Sequence, residues 1–99
     1  MEPLTRIRDL MYQRNYRTSG HVDDRVTDGE FDYDDLEHCI LSADRIYKTE
    51  HDEHDTATDG NKYTILGRDH AGHRFYTCGK IRRDHLGHYY FFITAHLAD

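Results

Sequence analysis

The stretch that decides the fold lies near the end of the chain and runs Tyr89-Tyr90-Phe91-Phe92-Ile93-Thr94-Ala95. It is the most apolar run of the sequence, and its aromatic and β-branched residues favour a strand. Because the run is bulky on both faces, we expect a central or well-covered strand. Thr94 and His96, two residues apart, share one face of it.

Three further strands are predicted upstream, over residues 45–50, 61–69 and 73–81. Residues 51–60 are polar and lack periodicity, which indicates a loop. His70-Ala71-Gly72 is typical of a hairpin connection, and residues 82–87 turn the chain once more. The pattern therefore predicts a four-stranded antiparallel sheet.

Apolar residues at helical spacing predict three helices before these strands. The first covers residues 3–15, with Pro3 in its first turn. Ser19 is a candidate N-cap for a short second helix, and Asp32 for a third helix that ends near Ala43. The predicted fold is thus one α+β domain over residues 1–99, with N-terminal helices followed by the sheet.

Composition supports a folded chain without a membrane segment. Of the 99 residues 36% are hydrophobic and 32% are charged, but eight Tyr and four Phe supply the large apolar surface that disordered chains lack. No apolar run approaches the roughly 18 residues of a membrane span, and the N-terminus lacks an apolar signal core. We therefore expect a cytoplasmic protein in which Cys39 and Cys78 are reduced, buried thiols.

The net charge of −6 is unevenly distributed along the chain. Residues 23–59 carry three Arg and Lys against fourteen Asp and Glu, whereas residues 60–99 carry six against three. A basic half can meet phosphates, although the overall acidity argues against indiscriminate nucleic-acid binding. A solvated surface of mixed charge is the alternative.

Nine histidines are unusual in a chain of this length, and six of them form the pairs His51/His54, His70/His73 and His85/His88. These pairs fall in predicted loops or turns, and their spacing matches no zinc signature. We therefore favour exposed histidines and expect neither a metal nor a cofactor.

His21 and Arg25 lie four residues apart, on one face of the predicted second helix. An imidazole can exchange a proton near neutral pH, and a guanidinium can hold a phosphate through two hydrogen bonds. The alternative is an exposed polar stripe in which Arg25 pairs with a nearby Asp. The sheet would add Thr94, His96 and several cations, namely Lys62, Arg68, Arg74 and Lys80. Convergence of these side chains would supply the base, acid and cations that metal-independent RNA cleavage needs.

Several segments match, in order, a pattern of small bacterial domains. Ser19-Gly20-His21-Val22-Asp23-Asp24-Arg25 resembles their S-x-H-x-x-x-R helix, and Asp34-Asp35-Leu36-Glu37-His38-Cys39-Ile40 resembles the helix that follows it. Lys62-Tyr63-Thr64-Ile65-Leu66-Gly67-Arg68-Asp69 resembles one of their strands, and Phe92-Ile93-Thr94-Ala95-His96 their terminal I-T-A-[YH] strand. The resemblance covers residues 19–97 and leaves residues 1–18 as an N-terminal helix.

This group is similar to the RelE/BrnT-like toxins of toxin–antitoxin systems. The resemblance implies a RelE/barnase-like nuclease fold and a metal-independent endoribonuclease, or a relative that has lost activity. It implies His21, Arg25, Arg68, Thr94 and His96 as candidate catalytic residues, with RNA and a cognate antitoxin protein as partners.

A non-catalytic interaction domain is the alternative function. In that case the acidic residues 23–59 would face a basic partner, or the sheet would pair with a second copy in a homodimer.

Overall fold

The computed structural model describes residues 2–98, so Met1 and Asp99, the ends of the predicted domain, lie outside the described residues. Within that range the helices are α1 (Pro3–Tyr12), α2 (Gly20–Thr27) and α3 (Tyr33–Ser42). The strands are β1 (Tyr16–Thr18), β2 (Lys48–His51), β3 (Asn61–Arg68), β4 (Arg74–Asp84) and β5 (Gly87–Leu97). The α+β class predicted from the sequence is confirmed.

All five strands belong to one mixed sheet in the order β1-β5-β4-β3-β2. β1 runs parallel to β5, while the other neighbouring strands are antiparallel. The predicted four-stranded antiparallel sheet is wrong in this detail because it lacks β1. With only three residues, β1 is too short to show the alternation by which a strand is found in sequence.

The first helix ends at Tyr12, earlier than predicted, because the chain closes it with a left-handed residue. Arg14 has φ of 57°, the amide of Arg14 donates to the carbonyl of Met11, and the amide of Asn15 donates to that of Leu10. This is the Schellman arrangement, in which glycine is the usual left-handed residue. The early end frees residues 16–18 to form β1.

Both predicted helix caps are confirmed. The Ser19 hydroxyl accepts a hydrogen bond from the Val22 amide at 3.2 Å. The Asp32 carboxylate accepts from the Asp35 amide, and the Asp35 carboxylate accepts from the Asp32 amide, which forms a capping box.

The core lies between the three helices and one face of the sheet. Its residues from the helices are Leu4, Ile7, Leu10, Met11, Val22, Leu36, Cys39 and Ile40, and those from the sheet are Tyr63, Ile65, Phe75, Ile81, Tyr90, Phe92 and Ala95. Gly67 lets α3 approach β3, since a Cβ there would stand 2.0 Å from the Cys39 carbonyl oxygen. None of the helices in residues 2–98 has the length and apolar character that a membrane crossing requires.

Candidate nucleic-acid interface

The side of the sheet that faces away from the helices, here called the open face, is defined by strand alternation. Core residues such as Phe75 and Phe92 point to the helices, so their neighbours along each strand point the other way. Thr94 pairs with Cys78, and His96 pairs with Tyr76, which places both candidates of the last strand on the open face. No helix in residues 2–98 covers this face.

One end of the open face carries a cluster of alternating cations and rings. The Arg17 guanidinium lies 4.0 Å from the centroid of the Tyr89 ring, and the Arg82 guanidinium lies 5.0 Å from that of Phe91 and 5.8 Å from that of Tyr89. These distances are typical of cation–π contacts. The two guanidinium groups cover Tyr89, which is only 8% exposed although no helix packs on it. The arrangement is an apolar platform topped by positive charge.

Asp84 holds one of these cations in place. Its carboxylate accepts a hydrogen bond from Arg17 and another from the amide of Leu86, at 2.8 Å. The Arg17 hydrogen bond is the main reason that the pKa of Asp84 lies below its usual range. Arg17 is thereby oriented over the ring, but half of its side chain remains exposed.

Along β4 and β5 from this cluster lies a second pair of rings. Tyr76 and His96 stack with centroids 4.5 Å apart and planes 16° from parallel. Both are partly exposed. The Nδ1 atom of His96 lies 2.9 Å from the Leu97 carbonyl oxygen. Because a carbonyl can only accept, Nδ1 carries the proton and Nε2 is the ring atom that can take one up.

Between the cluster around Tyr89 and the Tyr76–His96 pair, Lys80 is neutralised beneath the 52–60 loop. The Lys80 ammonium lies 3.2 Å from the Asp52 carboxylate, and both residues are at least 95% buried. Burial alone would raise the pKa of Asp52, but hydrogen bonds from the amides of Ala57 and Thr56, and from Lys80, outweigh it and hold this pKa well below its usual range. Lys80 therefore anchors the loop and is not free for a ligand.

Arg68 and Arg74 face each other across β3 and β4, beyond Tyr76. Arg68 donates to the Gly72 carbonyl at 2.9 Å, and both guanidinium groups are exposed. The hairpin between these strands is tied to α3, because Asp35 accepts from the amide of His70 at 3.1 Å and lies 2.6 Å from its Nδ1. Arg68 thus stands at the rim of the open face on a well-braced turn.

His21 and Arg25 lie together but in the helical layer. Arg25 Nε donates to His21 Nε2 at 3.3 Å, and the Arg25 guanidinium also pairs with Glu30 at 2.9 Å. Their helix joins the core through Val22, on the side of the sheet opposite Thr94 and His96. Within residues 2–98 no hydrogen bond or ion pair links these two residues to the candidates on the open face. The five candidates therefore form two groups, and Arg25 has an acidic partner as the alternative expected, although this partner is Glu30 and not an Asp.

Charge is segregated between the two sides of the molecule. Apart from Lys80, which Asp52 neutralises, pairing and alternation place six cations on the open face: Arg17, Lys48, Lys62, Arg68, Arg74 and Arg82. The strands add only Glu50 and Asp84 as acids there. Residues 20–42, which contain α2 and α3, carry eight Asp and Glu and one Arg. The open face is thus the cationic side of an acidic protein.

Asp32, Asp35 and His70 form the one group in residues 2–98 with the spacing of metal ligands. Their atoms are already engaged, because both carboxylates cap α3 and Asp35 also holds the His70 amide. The positive end of the helix dipole further disfavours a cation at this point. We assign the group to bracing the hairpin.

The sequence alone did not reveal Arg17, Tyr89 or Arg82 as site residues. The cluster depends on the parallel pairing of β1 with β5, which joins distant parts of the chain. The sequence does contain one signal for this cluster, the aromatic run at 89–92. In such a run Tyr89 and Phe91 must point away from the side on which Tyr90 and Phe92 lie.

Comparison of the chain with protein-family models, with curated proteins and with solved structures gave no match. The functional assignment therefore rests on the open face itself.

Proposed function

We propose that this chain binds RNA on its open face and acts as a toxin-like, metal-independent endoribonuclease, or as a relative that binds RNA without cutting it. The observation that carries the proposal is the presence of two ring clusters among exposed cations on one helix-free face. Proteins recognise RNA by stacking bases on aromatic rings and guanidinium planes, with cations along the phosphates. The acidic helical layer repels RNA and so directs it to this face.

Cleavage would use groups at the Tyr76–His96 end of the open face. His96 Nε2 would take the proton of a ribose 2′-hydroxyl, whose oxygen attacks the adjacent phosphorus. The bond from phosphorus to the 5′-oxygen breaks, and that oxygen leaves as a hydroxyl by taking a proton from water, to which the protonated His96 then returns one. Arg68 would stabilise the charge that develops on the phosphate oxygens, with Thr94 as a positioning residue.

His21 and Arg25 define a second location for the same chemistry, on α2. There, the imidazole nitrogen Nε2 already accepts from Arg25, so it has to leave that hydrogen bond before it takes a proton from RNA. The two locations predict different results for two variants. If RNA is cleaved on the open face, His96→Ala should lose cleavage, and if it is cleaved at α2, His21→Ala should lose it.

One assay separates binding from cleavage. A labelled single-stranded RNA is mixed with the purified protein in EDTA at low salt, and fluorescence anisotropy and gel analysis are recorded together. We expect binding that weakens as salt rises, and fragments that end in a cyclic phosphate. Binding without fragments identifies the inactive relative, whereas no binding by folded protein contradicts the proposal.

Matched variants test the site within that assay. His96→Ala is compared with His54→Ala, because His54 is an exposed histidine of the 52–60 loop. We expect His96→Ala to remove cleavage while RNA binding falls only severalfold, and His54→Ala to leave both unchanged. Equal effects of the two substitutions would contradict a catalytic role of His96.

The charge of the helical layer favours a second candidate, docking of a basic protein segment. Eight acids against one Arg in residues 20–42 complement such a segment. Calorimetry with an Arg-rich peptide would compare the native chain with an Asp23→Asn, Asp24→Asn, Asp34→Asn variant and with a variant of equal charge altered on the 52–60 loop. This candidate fails if the two variants lose affinity equally.

A further inference from the structure

The two ring clusters of the open face lie in line along the same pair of strands. Tyr76 pairs with His96 at one end, and Arg82 pairs with Tyr89 at the other. Tyr76 and Arg82 are six residue steps apart along β4, which corresponds to roughly 20 Å at the usual rise of a strand. The clusters therefore form two separate binding positions and not one aromatic patch. We call the Tyr76–His96 pair and the cluster of Arg17, Tyr89 and Arg82 the two stations.

Between the two clusters the β4 side of the open face is covered, because the 52–60 loop lies over Lys80, whereas Phe91 and Thr94 on the β5 side stay partly exposed and carry no charge. Cys78 is only 8% exposed, and Lys80 is buried against Asp52. A ligand that spans the face thus meets rings and guanidinium groups at its ends and a neutral strip in its middle. A face with evenly spaced cations would instead contact every phosphate of the ligand in the same way.

We infer that the ligand of the open face is an unpaired RNA strand of about four to six nucleotides, lying along the exposed residues of β5 with a base at each station. This inference rests on the proposed RNA binding and names the form of the RNA. In a duplex each base is covered by its stacked neighbours, so neither Tyr76 nor the Arg17 plane above Tyr89 reaches a base face. An unpaired strand turns its bases outward onto both.

The length follows from the distance between the stations. At the ~3.4 Å spacing of a duplex strand, the interval of roughly 20 Å holds about six nucleotides. A more extended strand holds fewer, and single-strand sites on small β domains begin at about four nucleotides.

A length series measures this footprint. Unstructured oligoribonucleotides of two to twelve residues, a hairpin duplex of equal charge and polyglutamate are titrated against the full chain by anisotropy at constant salt. We expect affinity to rise steeply up to four to six nucleotides. Beyond that length it should rise only in proportion to the number of registers in which a longer strand can occupy the site. The duplex and polyglutamate should bind at least tenfold more weakly than the hexamer.

Variants of each station complete the test. Tyr76→Leu removes a stacking ring and Arg82→Gln removes the cation beside Tyr89 and Phe91, and each should weaken binding of the hexamer by roughly 5- to 150-fold. Arg82 is partly exposed, so Arg82→Gln keeps the test valid if Tyr76→Leu unfolds, which thermal melting would reveal. Arg6→Gln on α1 changes the same charge away from the open face and should have no such effect.

The outcomes distinguish this inference from the proposed function. Equal affinity for duplex and single strand, equal affinity for polyglutamate, or no break in the length series would overturn the unpaired footprint while RNA binding stands. No binding of any RNA would overturn both.

Discussion

The Arg17 guanidinium lies 4.0 Å from the centroid of the Tyr89 ring, and this contact joins the shortest strand of the sheet to the longest apolar run of the sequence. Asp84 fixes the guanidinium from one side, so the cation is preorganised over the ring without being buried. Preorganisation lowers the entropy that a ligand must remove when it stacks there.

Replacing Arg17 with Gln should weaken RNA binding severalfold and lower the salt dependence of the affinity. The guanidinium that stacks on a base also neutralises a neighbouring phosphate, and loss of one such charge on a single strand reduces the slope of log affinity against log salt by about 0.7. Anisotropy titrations at several salt concentrations measure the slope. Arg6→Gln serves as the control of equal charge on α1, and an equal change of slope in that variant would argue that Arg17 acts only through net charge.

The buried pair of Asp52 and Lys80 predicts a large loss of stability in one variant and a smaller loss in the other. Asp52→Ala leaves the Lys80 ammonium buried without a partner and removes the acceptor of the Thr56 and Ala57 amides, at 3.0 and 2.9 Å. We expect a cost of about 3–5 kcal/mol in the free energy of unfolding. Lys80→Met fills the same space and leaves the carboxylate bound to the loop amides, so its cost should be smaller.

Urea unfolding followed by circular dichroism measures both variants. The proteolysis rate within residues 52–60 gives a local readout, which should rise more in Asp52→Ala than in Lys80→Met. A loss of under about 1 kcal/mol in Asp52→Ala would show that the pair adds little beyond a surface ion pair.

Acid should unfold this protein through its carboxylates. The pKa of Asp52 and those of Asp35, Asp69 and Asp84 lie below the usual value. A group whose pKa is lowered by folding stabilises the folded state above its unfolded pKa, and that stabilisation is lost as pH falls toward the folded pKa. The urea midpoint should therefore decline from about pH 5 downward. Asp52→Asn should flatten the decline, and an unchanged profile in that variant would exclude Asp52 as a main contributor.

What the sequence could predict was local. Ser19 and Asp32 each cap a helix through the amide three residues further along the chain, and such signals are complete within a few positions. The Arg17–Tyr89 and Asp52–Lys80 contacts join residues that only the folded sheet brings together, and no periodicity of the sequence predicts them. His21 and Arg25 were correctly placed on one helix face, but their separation from His96 depends on which side of the sheet that helix packs.

Arg14 is the position where the local signal was misleading, and it predicts a stabilising substitution. A glycine would have announced the end of α1, but Arg14 adopts the left-handed conformation with φ of 57° at a cost of roughly 1 kcal/mol. Arg14→Gly removes that cost and should raise the free energy of unfolding by about 0.5–1 kcal/mol, part of the gain being offset by the freer unfolded chain. The neighbouring Gln13 has φ of −84°, so Gln13→Gly should destabilise the protein instead. Paired urea titrations of the two variants decide the matter, since the same sign of change in both would show that the Arg14 conformation carries no strain.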